Sequence, residues 1–413
     1  MARFDELDAL GDAIGRVYAD CTDRLLVNLA RHFMYLKPGE EPGGSFQWQA
    51  RKLAELGQVN RENLKIIRSM MGGIEETVEH NLERAILDAL ADVEPALRQA
   101  AEAGLLGTAP LPEGGGRRLG GVTPPAELDP RQLTAFTLYR RQAVEALNLV
   151  NSTMLQSTAE AYRGMVSDIT NRLAYAQATV NKAAGEVISG AESFNSALKI
   201  ATRRLMAAGL TGFVDSAGRN WAPETYVAMD MRTTFHNVSR AAFWERNEEY
   251  GNDLFLVSQH PRARPLCYPW QCKVISRHGP HTETTDGNGD TVTVWALEET
   301  TYGEPAGLFG INCGHHPELF IPGATKVPEV RQNEEQNAKQ YAESQQQRKL
   351  EREFRKARLD ADVAKAQGDE EGLAKAKAKL KDADERLSRF EKDTGRRRRR
   401  EREYKPATAR RTA

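Results

Sequence analysis

Thr211-Gly212-Phe213-Val214-Asp215-Ser216-Ala217-Gly218-Arg219 is where the chain changes character. Phe213-Val214 and the residues beyond Gly218 read as two short strands around a glycine-containing turn. Before this point apolar residues recur every three or four positions, as helix faces require. After it they come in short runs separated by Gly, Pro, Asn and Asp. The break makes the fold class mainly α with a small α+β module. A helix should resume at about Pro223, since proline suits a first helical turn. Short strands are expected at 254–258, 273–276 and 291–295, with a hairpin connection at 284–290.

Working back toward the N-terminus, Leu7, Leu10, Ile14, Val17 and Tyr18 lie on one helix face, and Leu25, Leu29 and Phe33 extend it until Pro38-Gly39. A second helix should start near Gln47 and end at Gly57. Asn60 is then placed to cap another helix. A further helix at about 74–103 runs through Leu82, Ile86, Leu90 and Leu97, with a kink expected at Pro95. The stretch 108–130 is dense in proline and glycine, including Gly114-Gly115-Gly116 and Pro124-Pro125, and reads as a linker. The organisation expected is therefore a helical region at 1–107, the linker at 108–130, a helical region at 131–210, the α+β module at 211–328, and a polar helical hairpin with an arginine-rich tail at 329–413.

The hairpin rests on two observations. The stretch 331–367 holds neither Gly nor Pro and reads as one long polar helix, broken at Gly368. Beyond it Leu373, Ala376, Leu380, Ala383, Leu387 and Phe390 fall on a and d positions. That run is too short for a free coiled coil, so a hairpin or docking onto a partner is expected.

The 413 residues carry 57 basic and 58 acidic side chains, a net charge of -1 that argues against a uniformly basic nucleic-acid binder. The average conceals a split. Residues 331–413 hold 25 basic and 17 acidic residues, leaving 32 and 41 in 1–330. The excess concentrates at the very end, where Arg396, Arg397, Arg398, Arg399, Arg400 and Arg402 sit with Lys405, Arg410 and Arg411. Such a run neutralises phosphates without reading sequence, and the same composition fits a solvated tail that binds nothing specific. No apolar run is long enough for a transmembrane helix, so no membrane partner is expected. The acidic N-terminus has no signal-peptide core. Four cysteines are too few for a disulfide framework and point to a reducing cytoplasm.

Three of the four cysteines and six of the eight histidines fall between His236 and His316. His260, Cys267, Cys313 and His315 form the preferred tetrahedral set for a structural Zn ion, with His281 as another donor. No CxxC pair is present, and no other cofactor signature. The pattern equally fits a loop-rich module whose cysteines are buried as small hydrophobes and whose histidines are hydrogen-bonded. An enzyme acting on nucleic acid or protein would use the 260–316 cluster differently, with Cys272 or Cys313 as nucleophile and His281, His315 or His316 as base. No oxyanion-hole signature, P-loop or Rossmann glycine pattern accompanies them, so no catalytic residues are assigned. A free DNA-binding protein led by the basic tail is the other alternative. Trp48 and Trp270 read as packing anchors, Trp270 holding the 267–272 loop onto its strands.

Several motifs together resemble the phage minor capsid protein 2 family, relatives of the Mu F-type head-morphogenesis proteins. They are Gln47-Trp48-Gln49-Ala50-Arg51-Lys52-Leu53-Ala54-Glu55-Leu56-Gly57, Val214-Asp215-Ser216-Ala217-Gly218-Arg219, Met231-Arg232-Thr233-Thr234, and Ser258-Gln259-His260 with Arg264-Pro265. Pro269-Trp270-Gln271 and Gly310-Ile311-Asn312-Cys313-Gly314-His315 complete the central signal. Arg264, Trp270, Gln271 and Asn312 are the structural residues of this motif. Cys272 stands where the family more often has glycine, Gly314 replaces a commonly basic residue, and His316 has no clear counterpart. The resemblance implies a virion structural protein in few copies, with 211–328 as the Mu F-like core module. It further implies association with the portal protein and other head proteins at the portal vertex or capsid interior, after assembly in the host cytoplasm. It implies no established catalytic activity. The acidic body would then make protein contacts while the basic tail meets packaged DNA.

Overall fold

The computed structural model describes residues 2–109, 130–180 and 190–403. Most of the expected linker, at 110–129, lies outside the described residues, as do Lys405, Arg410 and Arg411. The described chain is mainly α-helical with a small α+β region. Its residues group into two compact units, each drawn from three separated stretches. Unit 1 takes Met1–Ile14, Gly73–Ala146 and Ala228–Gln345; unit 2 takes Gly15–Gly72, Leu147–Val227 and Gln346–Ala413. Among the described residues no helix is long and apolar enough to cross a membrane.

In chain order the helices before the strands are α1 (Ala2–Arg31), α2 (Ser45–Met71), α3 (Ile74–Glu102), α4 (Pro130–Val180) and α5 (Gly190–Ala208). The expected stop at Gly57 and restart at Asn60 do not occur, because α2 runs straight through both. One interior glycine costs a helix only about 1 kcal/mol relative to alanine, less than the packing of Trp48, Val59 and Ile67 on the same helix returns. The true boundary is Gly72-Gly73, where Gly73 adopts φ 82°. The first helix also ends at Arg31, earlier than Pro38; Phe33 is buried from the turn that follows.

In unit 2, β1 (Phe213–Val214) and β2 (Asn220–Trp221) form the anticipated ribbon. The Asp215 carboxylate closes its turn by accepting from the backbone N–H groups of Ala217 and Arg219 at 3.0 and 2.9 Å and from the Trp221 indole at 3.1 Å. That bonding is why Val-Asp-Ser-Ala-Gly-Arg makes a tight corner rather than continuing a helix. Helix α6 (Pro223–Glu249) begins at the expected proline.

Unit 1 holds the sheet: β3 (Leu254–Val257), β4 (Val274–Ser276), β5 (Thr282–Thr285), β6 (Thr291–Ala296) and β7 (Pro317–Leu319), in the order β5-β6-β4-β3-β7. All neighbouring pairs are antiparallel except β4 and β6. Alternation puts Phe255, Val257 and Ile275 on one face, where Val93 and Leu97 of α3 and Phe243, Trp244 and Tyr250 of α6 and the turn after it cover them. Leu256, Val274, Val294 and Phe320 form the core of the opposite face. This double-sided burial fixes the ends of β3 and β7, from which the two Cys/His loops emerge.

The last long helices are α7 (Glu334–Gln367) and α8 (Glu370–Thr394). Gly368 at φ 74° breaks them, and the Asp369 side chain caps α8 by accepting from the Gly372 N–H at 2.8 Å. Within unit 2, Leu350 and Phe354 of α7 pack with Leu380, Ala383, Leu387 and Phe390 of α8, so the heptad-spaced residues close a helical hairpin. A short turn, α9 (Arg400–Glu403), follows.

Candidate functional site

Two loops of unit 1 converge. The first leaves β3 through Ser258, Gln259 and His260 and continues past Cys267 to Trp270. The second runs through 300–312 and delivers Cys313 and His315 to β7. Both are fastened by backbone geometry that costs free energy: the positive-φ non-glycine residues of the described chain are Arg262, Cys272, Phe309 and Asn312, all within this region. Asn312, at φ 56°, turns the chain so that the next residue points inward.

Side chains hold the first loop in place. The Gln271 amide oxygen accepts from the His260 N–H at 2.8 Å. Asn337, in the first turn of α7, clamps Ala263 from both sides, accepting from its N–H at 2.8 Å and donating to its carbonyl at 2.7 Å. Trp270 is half-buried and meets Trp295 edge-on at 5.7 Å, where it anchors the loop on β6. Arg264 bridges the two loops. It donates to the carbonyls of Ile311 at 2.7 Å and Gly307 at 3.1 Å, and its guanidinium lies 3.8 Å from the Cys267 sulfur. Gly307 has no room for a side chain, since a Cβ there would overlap the Thr301 carbonyl.

The outcome is a buried cluster. Cys267, Cys313 and His315 are 1%, 5% and 2% exposed, and their donor atoms lie within 4.8 Å of one another. The two sulfurs are 3.7 Å apart, and Cys313 Sγ is 3.4 Å from His315 Nδ1. His260 stands beside them with its ring centroid 4.3 Å from that of His315, though outside the mutual 4.8 Å group. Its Nδ1 bonds the Pro261 carbonyl at 2.9 Å, so Nδ1 carries the proton and Nε2 presents a lone pair. Nε2 of His260 and Nε2 of His315 are both buried without a hydrogen-bond partner. A cavity of about 280 Å³ opens next to His260, lined also by Gln259, Gln271 and Arg331.

The electrostatics separate the two thiols. The hydrogen bond from Cys267, together with His315, draws the Cys313 thiol well below its ordinary value in spite of burial. The same hydrogen bond and burial push Cys267 upward, so Cys313 is the thiol of the pair that gives up its proton first. Burial, then the neighbouring His315, holds His260 down to about 4, which keeps it neutral at physiological pH. Buried Arg240 lies with its guanidinium 5.3 and 5.0 Å from the ring centroids of Trp244 and Phe309, adding positive charge on the side of Cys313.

The other candidates are placed elsewhere. Cys272 is buried and pushed up to about 11 by desolvation, away from the cluster. His281 pairs with Glu299 at 3.2 Å, and His316 with Glu318 at 3.4 Å. Of the C-terminal arginines, Arg398 is buried and bonds Glu403, Ser388 and Asp384. Arg396 reaches Gln347, and Arg402 lies 3.9 Å from Glu351. Arg397, Arg399 and Arg400 are exposed. Nothing in the sequence singles out Arg240, Asn337 or Gly307. An arginine in a helix, an asparagine at a helix start and one glycine among many carry no local signal of contacts made tens of residues away.

Comparison with known proteins gives a consistent assignment. The family model described as Phage minor capsid protein 2 matches residues 4–391. A structural protein of Lactococcus phage LL-H is 28% identical over 174 residues, which is 41% of this chain and 45% of that protein. The match thus spans less than half of that relative's length. No solved structure matches.

Proposed function

We propose that this chain, which belongs to the Phage minor capsid protein 2 family, is a minor head component that associates with the portal during assembly. The observation that carries this reading is the family match, which takes in both the helical N-terminal half and the strand module rather than one shared fragment. The family is one of phage structural proteins, so the activity proposed is assembly and interaction. The burial of Cys313 and His315 supports that choice over the enzyme alternative, which needs a nucleophile and base open to a substrate. In an infection with the gene disrupted, heads should assemble with altered composition or yield, and the chain should co-purify and cross-link with portal protein in the wild type. Normal particles lacking this chain would refute the reading.

Charge supports a second element. The acidic part of the chain suits protein contacts, and exposed Arg397, Arg399 and Arg400 next to the basic terminus suit packaged DNA. Changing those three arginines to glutamine should weaken non-specific duplex binding. It should also flatten the salt dependence by roughly 0.9 in log-log slope for each phosphate no longer neutralised. Arg398 is excluded from the set because its ion pairs hold the fold. An unchanged slope would remove DNA contact from the proposal.

A further inference from the structure

The geometry points to a zinc ion held by Cys267, Cys313 and His315, with His260 as the fourth ligand, tying the loop after β3 to the loop before β7. Nothing in the family assignment requires it; the argument is one of distances and unpaired atoms. A tetrahedral site with Zn–S of about 2.3 Å and Zn–N of about 2.0–2.1 Å has S–S edges of about 3.8 Å and S–N edges of about 3.5 Å. The observed edges are 3.7 Å between the sulfurs and 3.4 Å from Cys313 Sγ to His315 Nδ1. Two edges are therefore already at ligand spacing, and the third donor pair lies within 4.8 Å.

His260 is prepared as the fourth. Its Nδ1–H is committed to the Pro261 carbonyl, the outer-shell bond that fixes the tautomer and ring orientation of a metal-bound histidine. That leaves Nε2 unprotonated, buried and unpaired. Residue 314 faces this atom, and a Cβ there would stand 2.9 Å from it; glycine lets the imidazole close on the loop. The cavity beside His260 brings open space up to one of the four ligands.

Charge and softness select the ion. Two thiolates and two neutral imidazoles around a divalent cation give a neutral buried centre, and this donor set favours zinc over the oxygen-seeking magnesium or calcium. Arg264 then acts as an outer support, bridging Cys267 to the Gly307 and Ile311 carbonyls. Without an ion the buried lone pair of His260 Nε2 has no donor, an arrangement folded proteins rarely keep.

The test uses the full chain, purified without chelator and dialysed against zinc. Elemental analysis should find about one zinc per chain. Cobalt exchanged into the site should give the intense visible bands and the thiolate-to-cobalt charge-transfer absorption of a tetrahedral two-sulfur centre. Cys313→Ser should lose the ion. His260→Ala should bind at least tenfold more weakly while keeping three ligands, and Cys21→Ser and Cys272→Ser should bind normally. If Cys313→Ser does not fold, the wild-type cobalt spectrum still decides. Less than about 0.2 zinc per chain after dialysis, a Cys267–Cys313 disulfide in its place, or a Cys272→Ser variant that loses the ion as Cys313→Ser does, would each overturn the assignment.

Discussion

Replacing Arg246 by alanine is expected to destabilise unit 1 by about 3 kcal/mol, because it takes from a buried carboxylate its one fully buried charged partner and leaves it only the half-exposed Arg98 and the Tyr250 hydroxyl. Glu94 of α3 and Arg246 of α6 are 6% and 2% exposed. Arg246 grips both oxygens of Glu94, Nε to Oε2 at 2.6 Å and Nη2 to Oε1 at 2.8 Å, while Nη1 bonds Glu249. Glu94 also accepts from the Tyr250 hydroxyl at 2.9 Å and from Arg98 at 2.7 Å. The network therefore ties the two helices that cover the sheet. Removing one partner is the damaging change. Replacing both Glu94 and Arg246 by methionine should cost much less, since no buried charge is left unpaired. Because the chain has two units, hydrogen exchange on peptides from α3 and α6 is the suitable measurement, rather than one global melting temperature.

The same network predicts a pH dependence. Burial alone would raise the Glu94 carboxyl, but hydrogen bonds from Arg246 and Arg98 outweigh it and hold the group below its ordinary value. An acid depressed on folding contributes stability at pH above its unfolded value, about 4.3, and loses that contribution as pH falls through the folded value. The gap between wild type and Arg246→Ala should therefore be widest near neutrality and narrow on acidification. A gap independent of pH would mean that the arginine acts through packing alone.

How much of this was readable in the sequence depends on the range of the interaction. The class, mainly α with a small strand module, follows from periodicity, and so do β3, β4 and β6, the Pro223 helix start and the Gly368 break, because each is set by residues within a few positions. Gly57 misleads for the complementary reason: its local preference is outweighed by packing against residues distant in sequence. The strand β7 is three residues long and starts with proline, too short for an alternation to show. The Cys/His residues could be singled out by type and density, but that Cys267, Cys313 and His315 meet while Cys272 and His281 stay apart depends on the sheet order. Glu94 and Arg246 lie 152 residues apart and carry no sequence signal of each other.

Trp48→Ala is the corresponding expectation for unit 2, at about 3–5 kcal/mol. Trp48 sits in the Gln-Trp-Gln-Ala-Arg-Lys motif of α2 and is 5% exposed. Its ring meets Phe194 of α5 edge-on at 5.6 Å and Phe33 at 6.4 Å. Phe33 in turn lies 4.9 Å from Tyr162 of α4, whose hydroxyl donates to the Lys52 carbonyl at 2.9 Å, one helical turn beyond Trp48. One aromatic chain therefore joins α2, α4, α5 and the turn after α1. Deleting the indole removes large apolar area from its centre, and surrounding rings are too stiff to fill the space. Trp48→Phe should retain most of the stability by keeping an aromatic edge against Phe194. If Trp48 instead served as an exposed contact for another head protein, the alanine variant would fold with unchanged exchange protection in α2 and α5 and fail only in assembly. Loss of protection in those helices before any assembly step would place the motif in the core of the protein itself. The resemblance carried by Trp48 would then reflect a shared fold, and the docking surface for the head would have to be sought among exposed residues.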